Sequence, residues 1–371
     1  MRIAQLTYST KPRGGVVHTL ALSEALARRG HEVTVWTLGR GGDSAFFRAV
    51  DPAVAVRVVP FAARDGEDVG DRIVRSLDAM AVALGEDGEE WDVVHAQDCI
   101  SANAALDAGF AGAGGLLRTV HHLDAFTTPA LIACHERAIT GPAGLLAVSR
   151  AVADEVAAGW GRAPAVIPNG VDAARFAAAA GGAAAGEWRA ELGRYVLALG
   201  GIEPRKGSID LLEAFAGLAP GTALVFGGGE TLFDYRGYRE EFERRVAELG
   251  VTPVVLGTVP EERLAALVAG AAVLGFVSTK EGFGLAAMEA LAAGVPVVAR
   301  DLPVLREVFG ETVAYGSDVT GIRGALAAAL AGAAPEPGPG RELAFSHSWD
   351  DVAASHEALY RAHLGRRSVG V

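Results

Sequence analysis

Short apolar runs alternate with helix-length amphipathic segments twice over along this chain. That repeated alternation constrains the fold more than any other feature of the sequence. In the first series the apolar runs Ile3–Thr7, Glu32–Thr37, Val54–Val59, Trp91–His95, Leu116–Val120 and Leu145–Val148 read as strands. Val17–Arg29, Asp71–Leu84, Ser101–Ala108 and Ser149–Trp160 read as helices between or after them. The second series has strands at Tyr195–Leu199, Ala223–Phe226, Val254–Leu256, Val273–Val277 and Val295–Ala299. Its helices are Ile209–Phe215, Tyr238–Leu249, Glu261–Val268, Leu285–Ala292 and Gly321–Leu330. Between the series, Phe176–Gly186 is almost all Ala and Gly and reads as a linker or loop. The run Ala334–Gly340, rich in Pro and Gly, reads as irregular, and a last helix spans Trp349–His363. Two such series imply an α/β protein with two doubly wound parallel sheets. Ligands of such sheets sit beyond the carboxyl ends of the strands, so two facing sheets would make an inter-domain cleft.

Composition narrows the function classes. The chain has 371 residues, of which 50% are hydrophobic, enough for two full cores. A formal net charge of −12 leaves no general nucleic-acid footprint, although a local basic turn still suits a nucleotide. Two cysteines, Cys99 and Cys134, are too few for a disulfide framework or a four-cysteine zinc site. Met1–Leu6 shows no signal-peptide pattern, and the longest apolar stretch, Leu264–Val277, is broken by Gly270 and Gly275. A soluble cytoplasmic protein is expected, monomeric or homodimeric, with weak peripheral membrane contact left open.

Two strand-end segments carry chemistry. In Glu281-Gly282-Phe283-Gly284-Leu285 and on to Glu289, two carboxylates lie eight positions apart, one in a glycine loop and one a turn into a helix. Gly282 and Gly284 let backbone approach a ligand, and the helix start presents N–H groups to a phosphate. Glu289 is then placed to accept from ribose hydroxyls, and Glu281 lies nearer a donor sugar. Taken singly, Glu281 is also a plausible helix-start residue and Glu289 a solvated helix position. The second segment is Gly200–Gly207, where adjacent Arg205 and Lys206 at a strand-to-helix turn suit a diphosphate. His121-His122 ends the strand Leu116–Val120, and Asn169-Gly170 reads as a turn that serves as a hinge. His122 and Asp124 are weaker acceptor-side candidates, and Asp65–Asp71 reads as solvated surface. Gly227-Gly228-Gly229-Glu230 resembles a phosphate loop without the dinucleotide spacing. No D-x-D string occurs, so a basic pair and a helix start replace a divalent metal, and no cofactor is required.

These pieces together resemble glycosyltransferase family 4, the retaining group of the GT-B fold that includes glycogen-synthase-like and mannosyltransferase-like enzymes. The resemblance runs through the Gly14-Gly15 loop, Val120-His121, Ala147–Val152, Val166–Asp172, Pro204–Gly207, the Glu281–Glu289 segment and Ser346–Trp349. It implies a GT-B arrangement of two Rossmann-like domains. Residues 1–168 would form the acceptor domain, with 349–371 crossing back to it, and 169–348 the donor domain. It also implies roles. Arg205 and Lys206 hold the donor diphosphate, Glu281 faces the sugar, and Glu289 binds the ribose. The N–H groups of Phe283, Gly284 and Leu285 contact sugar and phosphate. Gly257 and Val259 edge the base pocket, Gly15 lies under the diphosphate, and His121 sits by the acceptor and donor sugar. Many members have an Arg where Gly201 stands, and Arg205 is the residue placed to supply that charge here.

The expected reaction moves a sugar from a nucleoside-diphosphate sugar, with UDP favoured over GDP, to a small-molecule, lipid-linked or saccharide acceptor. The resemblance implies retention of anomeric configuration, and no carboxylate stands out as a nucleophile. The rival readings are a nucleotide-sugar epimerase of the same architecture and a non-catalytic nucleotide-sugar-binding protein.

Overall fold

Ile3, Ala4 and Leu6 are fully buried because the strand that carries them lies inside a parallel sheet covered on both faces. This is β1 (Arg2–Leu6), the start of a unit that also contains α1 (Gly14–Arg28), β2 (Glu32–Arg40), β3 (Val54–Phe61), α2 (Val69–Glu86), β4 (Val93–Ala96), α3 (Cys99–Asp107), β5 (Leu117–Val120), α4 (Pro129–Thr140), β6 (Gly144–Ala147), α5 (Arg150–Trp160) and β7 (Ala165–Val166). The computed structural model describes residues 1–110, 115–124, 126, 128–218, 220–229 and 235–369. They divide into two compact units, Met1–Gly170 with Trp349–Val371, and Val171–Ser348.

The first unit's seven strands are ordered β3-β2-β1-β4-β5-β6-β7, all parallel. The order reverses between β1 and β4, so loops leaving those two strands diverge to opposite faces and open a crevice there. Local chemistry sets the helix starts. Asp98 caps α3 by accepting from Ser101 N–H at 2.8 Å, and Ser149 caps α5 by accepting from Val152 N–H at 3.3 Å. In the segment Asp65–Asp71, expected as solvated surface, Asp65, Gly66, Asp68 and Asp71 are exposed and none is buried, and Asp68 caps α2 through Gly70 N–H. Helix α4 has no counterpart in the sequence reading. It supplies the crossover that parallel neighbours β5 and β6 require, with Pro129 in its first turn.

The second unit begins with α6 (Ala173–Ala179) and α7 (Ala183–Leu192), followed by β8 (Arg194–Leu199), α8 (Ser208–Phe215), β9 (Thr222–Gly227), α9 (Arg236–Leu249), β10 (Val254–Gly257), α10 (Glu261–Gly270), β11 (Val273–Phe276), α11 (Leu285–Ala292), β12 (Val297–Arg300), α12 (Pro303–Phe309), β13 (Ala314–Gly316), α13 (Val319–Leu330) and α14 (Pro337–Phe345). Its six parallel strands run β10-β9-β8-β11-β12-β13, and the order reverses between β8 and β11. The last helix, α15 (Trp349–Val369), belongs to the first unit, where Val352, Ala353 and Tyr360 join the core of Ile3, Leu20 and Val33.

Two expectations are corrected. The Phe176–Gly186 segment is not a loop, because it contributes to α6 and α7. Ala is the strongest helix former, Asp172 caps α6 at Arg175 N–H, and Phe176 and Trp188 are buried anchors; only the glycine pair Gly181-Gly182 breaks the helix. The Ala334–Gly340 run is not wholly irregular, because Pro337–Gly340 forms the first turn of α14. A first turn has no intrahelical acceptor for its N–H groups, so proline fits there. Gly340 lets that turn close on α11, since a Cβ there would lie 2.8 Å from Leu291 Cδ2. The short elements β7, α12 and β13 also lie outside what the sequence pattern showed.

Candidate functional site

The loops that leave β8 and β11 flank the reversal of strand order in the second unit, and they are the two segments the sequence singles out. After β8 the chain turns through Gly200 and Gly201 into a short 3-10 turn, Pro204–Lys206. Gly207 follows at φ 64°, where a Cβ would meet Val277 O at 2.5 Å, so the turn abuts the end of β11. Thr279 N–H donates to Arg205 O at 2.8 Å and pins the two loops together.

Their side chains converge on one carboxylate. Lys206 Nζ donates to Glu281 Oε1 at 2.6 Å, and Arg205 NH1 reaches the same oxygen at 3.4 Å. Glu203, buried beside them, lies 3.9 Å from Arg205 NH2. Burial alone would raise the Glu281 carboxyl, but Lys206 and Arg205 outweigh it and hold the group down at about 2. Glu281 is therefore a carboxylate at neutral pH. Lys206 also lies 5.6 Å from the centroid of Phe276. A small space at these strand ends is lined by Gly200, Gly201, Lys206, Phe226, Gly275 and Ser278.

The glycine loop after Glu281 leads into α11. Gly284 holds φ 105° with its missing Cβ turned toward Phe309 and Phe276, at 3.0 and 3.2 Å. Phe283 is buried, so only its backbone is offered outward, and the first helical bonds run from Ala287 and Met288 N–H to Gly284 O. The preceding N–H groups, Leu285 among them, have no partner in the helix ladder, as at any helix start. Glu289 follows about one turn later. It is partly buried and, among the described residues, its carboxylate accepts no hydrogen bond. Burial, and then the charge of Glu261, push its carboxyl up to about 8 against the opposing pull of Arg175. Glu289 is thus not the solvated position that the helix pattern alone allows. Gly257 and Val259 close β10 two strands from β8, with Val259 Cγ2 3.2 Å from where Gly227 would carry a Cβ. Gly228 packs on Gly200 and Gly229 on Thr258, whereas Glu230 lies outside the described residues.

The remaining candidates, Gly15 and His121, lie together in the first unit. Gly15 is in the first turn of α1, and a Cβ on it would stand 3.5 Å from His121 Cδ2. His121 Nε2 is 3.0 Å from Gln97 Oε1. A buried chain continues from Gln97 Nε2 to Gln5 Oε1 at 2.9 Å, from Gln5 Nε2 to Tyr360 Oη at 3.0 Å, and from Tyr360 to His95 Nδ1 at 2.7 Å. It ends with His95 Nε2 and Thr119 Oγ1 at 2.8 Å. With every donor pointing the same way, His121 gives Nε2–H to Gln97 and keeps its Nδ1 lone pair. Burial first, and then the neighbouring His122 and His95, lower His121 to about 3, so it is neutral at physiological pH. His122 turns elsewhere and pairs with Asp124 at 3.0 Å. Asn169 is not a loose turn residue: it is buried, with Oδ1 2.8 Å from His18 Nδ1, and Gly170 lies against Trp349.

The sequence reading missed Gln97, Gln5 and Tyr360. Gln97 stands immediately beyond β4, at the strand-order reversal, and that position was the available signal. Tyr360 had none, since only the return of α15 brings it beside Gln5. Among the described residues no cluster of His, Cys, Asp or Glu is arranged to hold a metal ion, and no helix is long and apolar enough to cross a membrane.

A family model described as Glycosyltransferase Family 4 matches residues 12–175, and one described as Glycosyl transferases group 1 matches residues 187–328. A D-inositol 3-phosphate glycosyltransferase from Mycolicibacterium paratuberculosis is 30% identical over 100% of this chain and 93% of its own. Among solved structures, sucrose-phosphate synthase from Thermosynechococcus elongatus superimposes with a TM-score of 0.80 at 22% identity, covering 99% of this chain and 100% of its own. HepE of Anabaena, solved in complex with UDP and glucose, superimposes with a TM-score of 0.74 at 19% identity, covering 97% and 99%.

Proposed function

We infer, for a chain that belongs to glycosyltransferase family 4 of the GT-B fold, how its own residues divide the work of sugar transfer. The protein is a glycosyltransferase of the nucleotide-sugar type. The relatives are transferases by name, which gives no support to an epimerase or to a binding protein without activity.

The observation that carries the assignment of roles is the convergence of Lys206 and Arg205 on Glu281 at the reversal of strand order. Lys206 and Arg205 hold the donor diphosphate and neutralise the charge that grows on the leaving nucleoside diphosphate. Arg205 thereby supplies the cation that Gly201 lacks, and no metal is required. Glu281, ionised and fixed by Lys206, orients a hydroxyl of the donor sugar. Glu289 accepts from the ribose, since its carboxyl has no partner of its own. The N–H groups of Phe283, Gly284 and Leu285 meet sugar and phosphate, Gly257 and Val259 edge the base, and Gly15 N–H adds a donor on the first unit. UDP is favoured over GDP, in line with the UDP bound by HepE.

His121 is too weakly basic to take the acceptor proton. Its neutral ring holds a substrate hydroxyl through the Nδ1 lone pair while Gln97 fixes the tautomer. Without a carboxylate nucleophile, the acceptor oxygen attacks from the face the diphosphate leaves and passes its proton to a phosphate oxygen, with retention of configuration. Positioning and preorganised charge supply the rate.

A thermal-shift screen of UDP, GDP, ADP and their sugar conjugates in the presence of EDTA tests this reading. One nucleoside diphosphate series should raise Tm, and Glu289→Ala and Lys206→Ala should each abolish the rise. A shift that needs a divalent cation, or one that survives both substitutions, would overturn these roles.

A further inference from the structure

Three arginines meet in the first unit at the carboxyl ends of β1 and β2, apart from every residue given a role above. Arg13 is the N-cap residue of α1, Arg40 ends β2, and Arg72 lies in the first turns of α2. The ring of Tyr8, in the loop after β1, holds two of them. Arg13 Cζ lies 5.9 Å and Arg40 Cζ 5.6 Å from its centroid. Tyr8 is itself fixed by its N–H, which donates to Asp98 Oδ2 at 2.9 Å.

The neighbouring cations are answered by carboxylates. Lys11 pairs with Asp43 at 2.8 Å, and Arg75 with Glu67 at 2.6 Å. Arg13 and Arg40 are not: among the described residues no carboxylate pairs with either. Arg13 Nε is buried with no hydrogen-bond acceptor. Burial first, and then the charges of Arg72, Arg13 and Arg75 against the opposing pull of Tyr8, lower the Arg40 guanidinium to about 10. In a chain with a net charge of −12, such a gathering is not a product of composition. Like charges packed together in a partly buried place destabilise the fold, and an oxyanion among them reverses the sign.

We propose that Arg13, Arg40 and Arg72 form a subsite for a phosphoryl group carried by the acceptor. Guanidinium forks match phosphate oxygens two at a time, and two forks set on one aromatic ring are already oriented. The place also fits an acceptor. Arg13 is followed directly by Gly14 and Gly15, and Gly15 adjoins His121. A phosphoryl group held by the arginines would leave the body of the same molecule beside the His121 ring. The proposal rests on the glycosyltransferase reading, and it adds the chemical class of the acceptor.

The test is calorimetric titration of inorganic phosphate into the full-length protein kept saturated with UDP, so that the Lys206 clamp is already filled. Wild type should bind phosphate, and Arg40→Gln and Arg13→Gln should each weaken that binding roughly tenfold or more. UDP affinity, measured on the same variants, should stay unchanged. Far-ultraviolet circular dichroism confirms that each variant is folded, and two variants guard against the failure of one. Wild type that binds UDP but no phosphate overturns the subsite and leaves the glycosyltransferase roles intact. So does phosphate affinity that is the same in both variants. A loss of UDP affinity instead assigns the arginines to the donor and overturns the proposal. If wild type binds no UDP, the donor-site reading itself fails, and phosphate binding lost in the arginine variants would still identify the anion site.

Discussion

Glu289 shows how one side chain links stability to ligand chemistry. Its ordinary value of 4.5 is raised to about 8, first by burial and then by Glu261. Between those two values the folded protein holds a proton that the unfolded chain has lost. Stability therefore falls as pH rises through that window and levels off above pH 8. Glu289→Gln carries no charge at any pH, so its stability should lack that fall. It should exceed wild type by on the order of 2 kcal/mol at pH 8 and match it near pH 4.5. Denaturant titrations at the two pH values check this, and parallel curves for the two proteins would sink it. Ribose hydroxyls donate to a carboxylate and not to a carboxylic acid. UDP binding at pH 7 should accordingly release up to about one proton in wild type, read by calorimetry in two buffers. At this scale the sequence was informative because spacing alone put Glu281 in the loop and Glu289 in the helix. It did not show that Lys206 and Arg205 share one oxygen of Glu281, since that contact joins residues 75 or more positions apart.

Helix α11 depends on the backbone that starts it. Gly284 at φ 105° lets the chain turn sharply from the β11 loop into the helix, against Phe309 and Phe276. A Cβ there adds backbone strain and presses on an aromatic ring, so Gly284→Ala should destabilise by about 1–3 kcal/mol. It should also weaken UDP binding, because the N–H groups of the first turn move with Gly284. Melting temperature and UDP affinity, measured together, check both effects; a variant that matches wild type in both would refute the role given to this turn. Most elements were legible from apolar periodicity, and Leu285–Ala292 runs as the sequence pattern places it. Segments with weak periodicity were not. α6 and α7 look like a linker because Ala says little about which face is buried, and Phe176 and Trp188 supply the missing anchors only once the unit is packed. Pro337–Gly340 looks irregular because proline disfavours helix interiors, but a first turn is not an interior.

At the scale of the whole molecule, the first unit is discontinuous in sequence, being built from Met1–Gly170 and the last helix, α15. Without α15 its core loses Val352, Ala353 and Tyr360, and Gln5 and His95 lose the hydroxyl of Tyr360. The second unit, Val171–Ser348, keeps its own core of Val196, Leu212, Phe226 and Val298. A chain ended at Ser348 should therefore unfold in two steps, the first well below the wild-type transition, and UDP should raise only the second. Scanning calorimetry with and without UDP checks this, and a single cooperative transition shifted as a whole by UDP would contradict it. The sequence by itself determined the α/β class, the two series of parallel strands and the strand-end segments that carry Arg205, Lys206, Glu281 and Glu289. Those are local matters of periodicity, turn chemistry and residue type. Only the tertiary structure decided that Glu289 is partly buried and that Gln97, Gln5 and Tyr360 line up behind His121. It also decided that Arg13 and Arg40 gather on the ring of Tyr8, with Arg72 close enough to Arg40 to act on its charge. Strand order and the return of α15 bring those residues together across long stretches of chain, and no local pattern encodes a contact between residues so far apart.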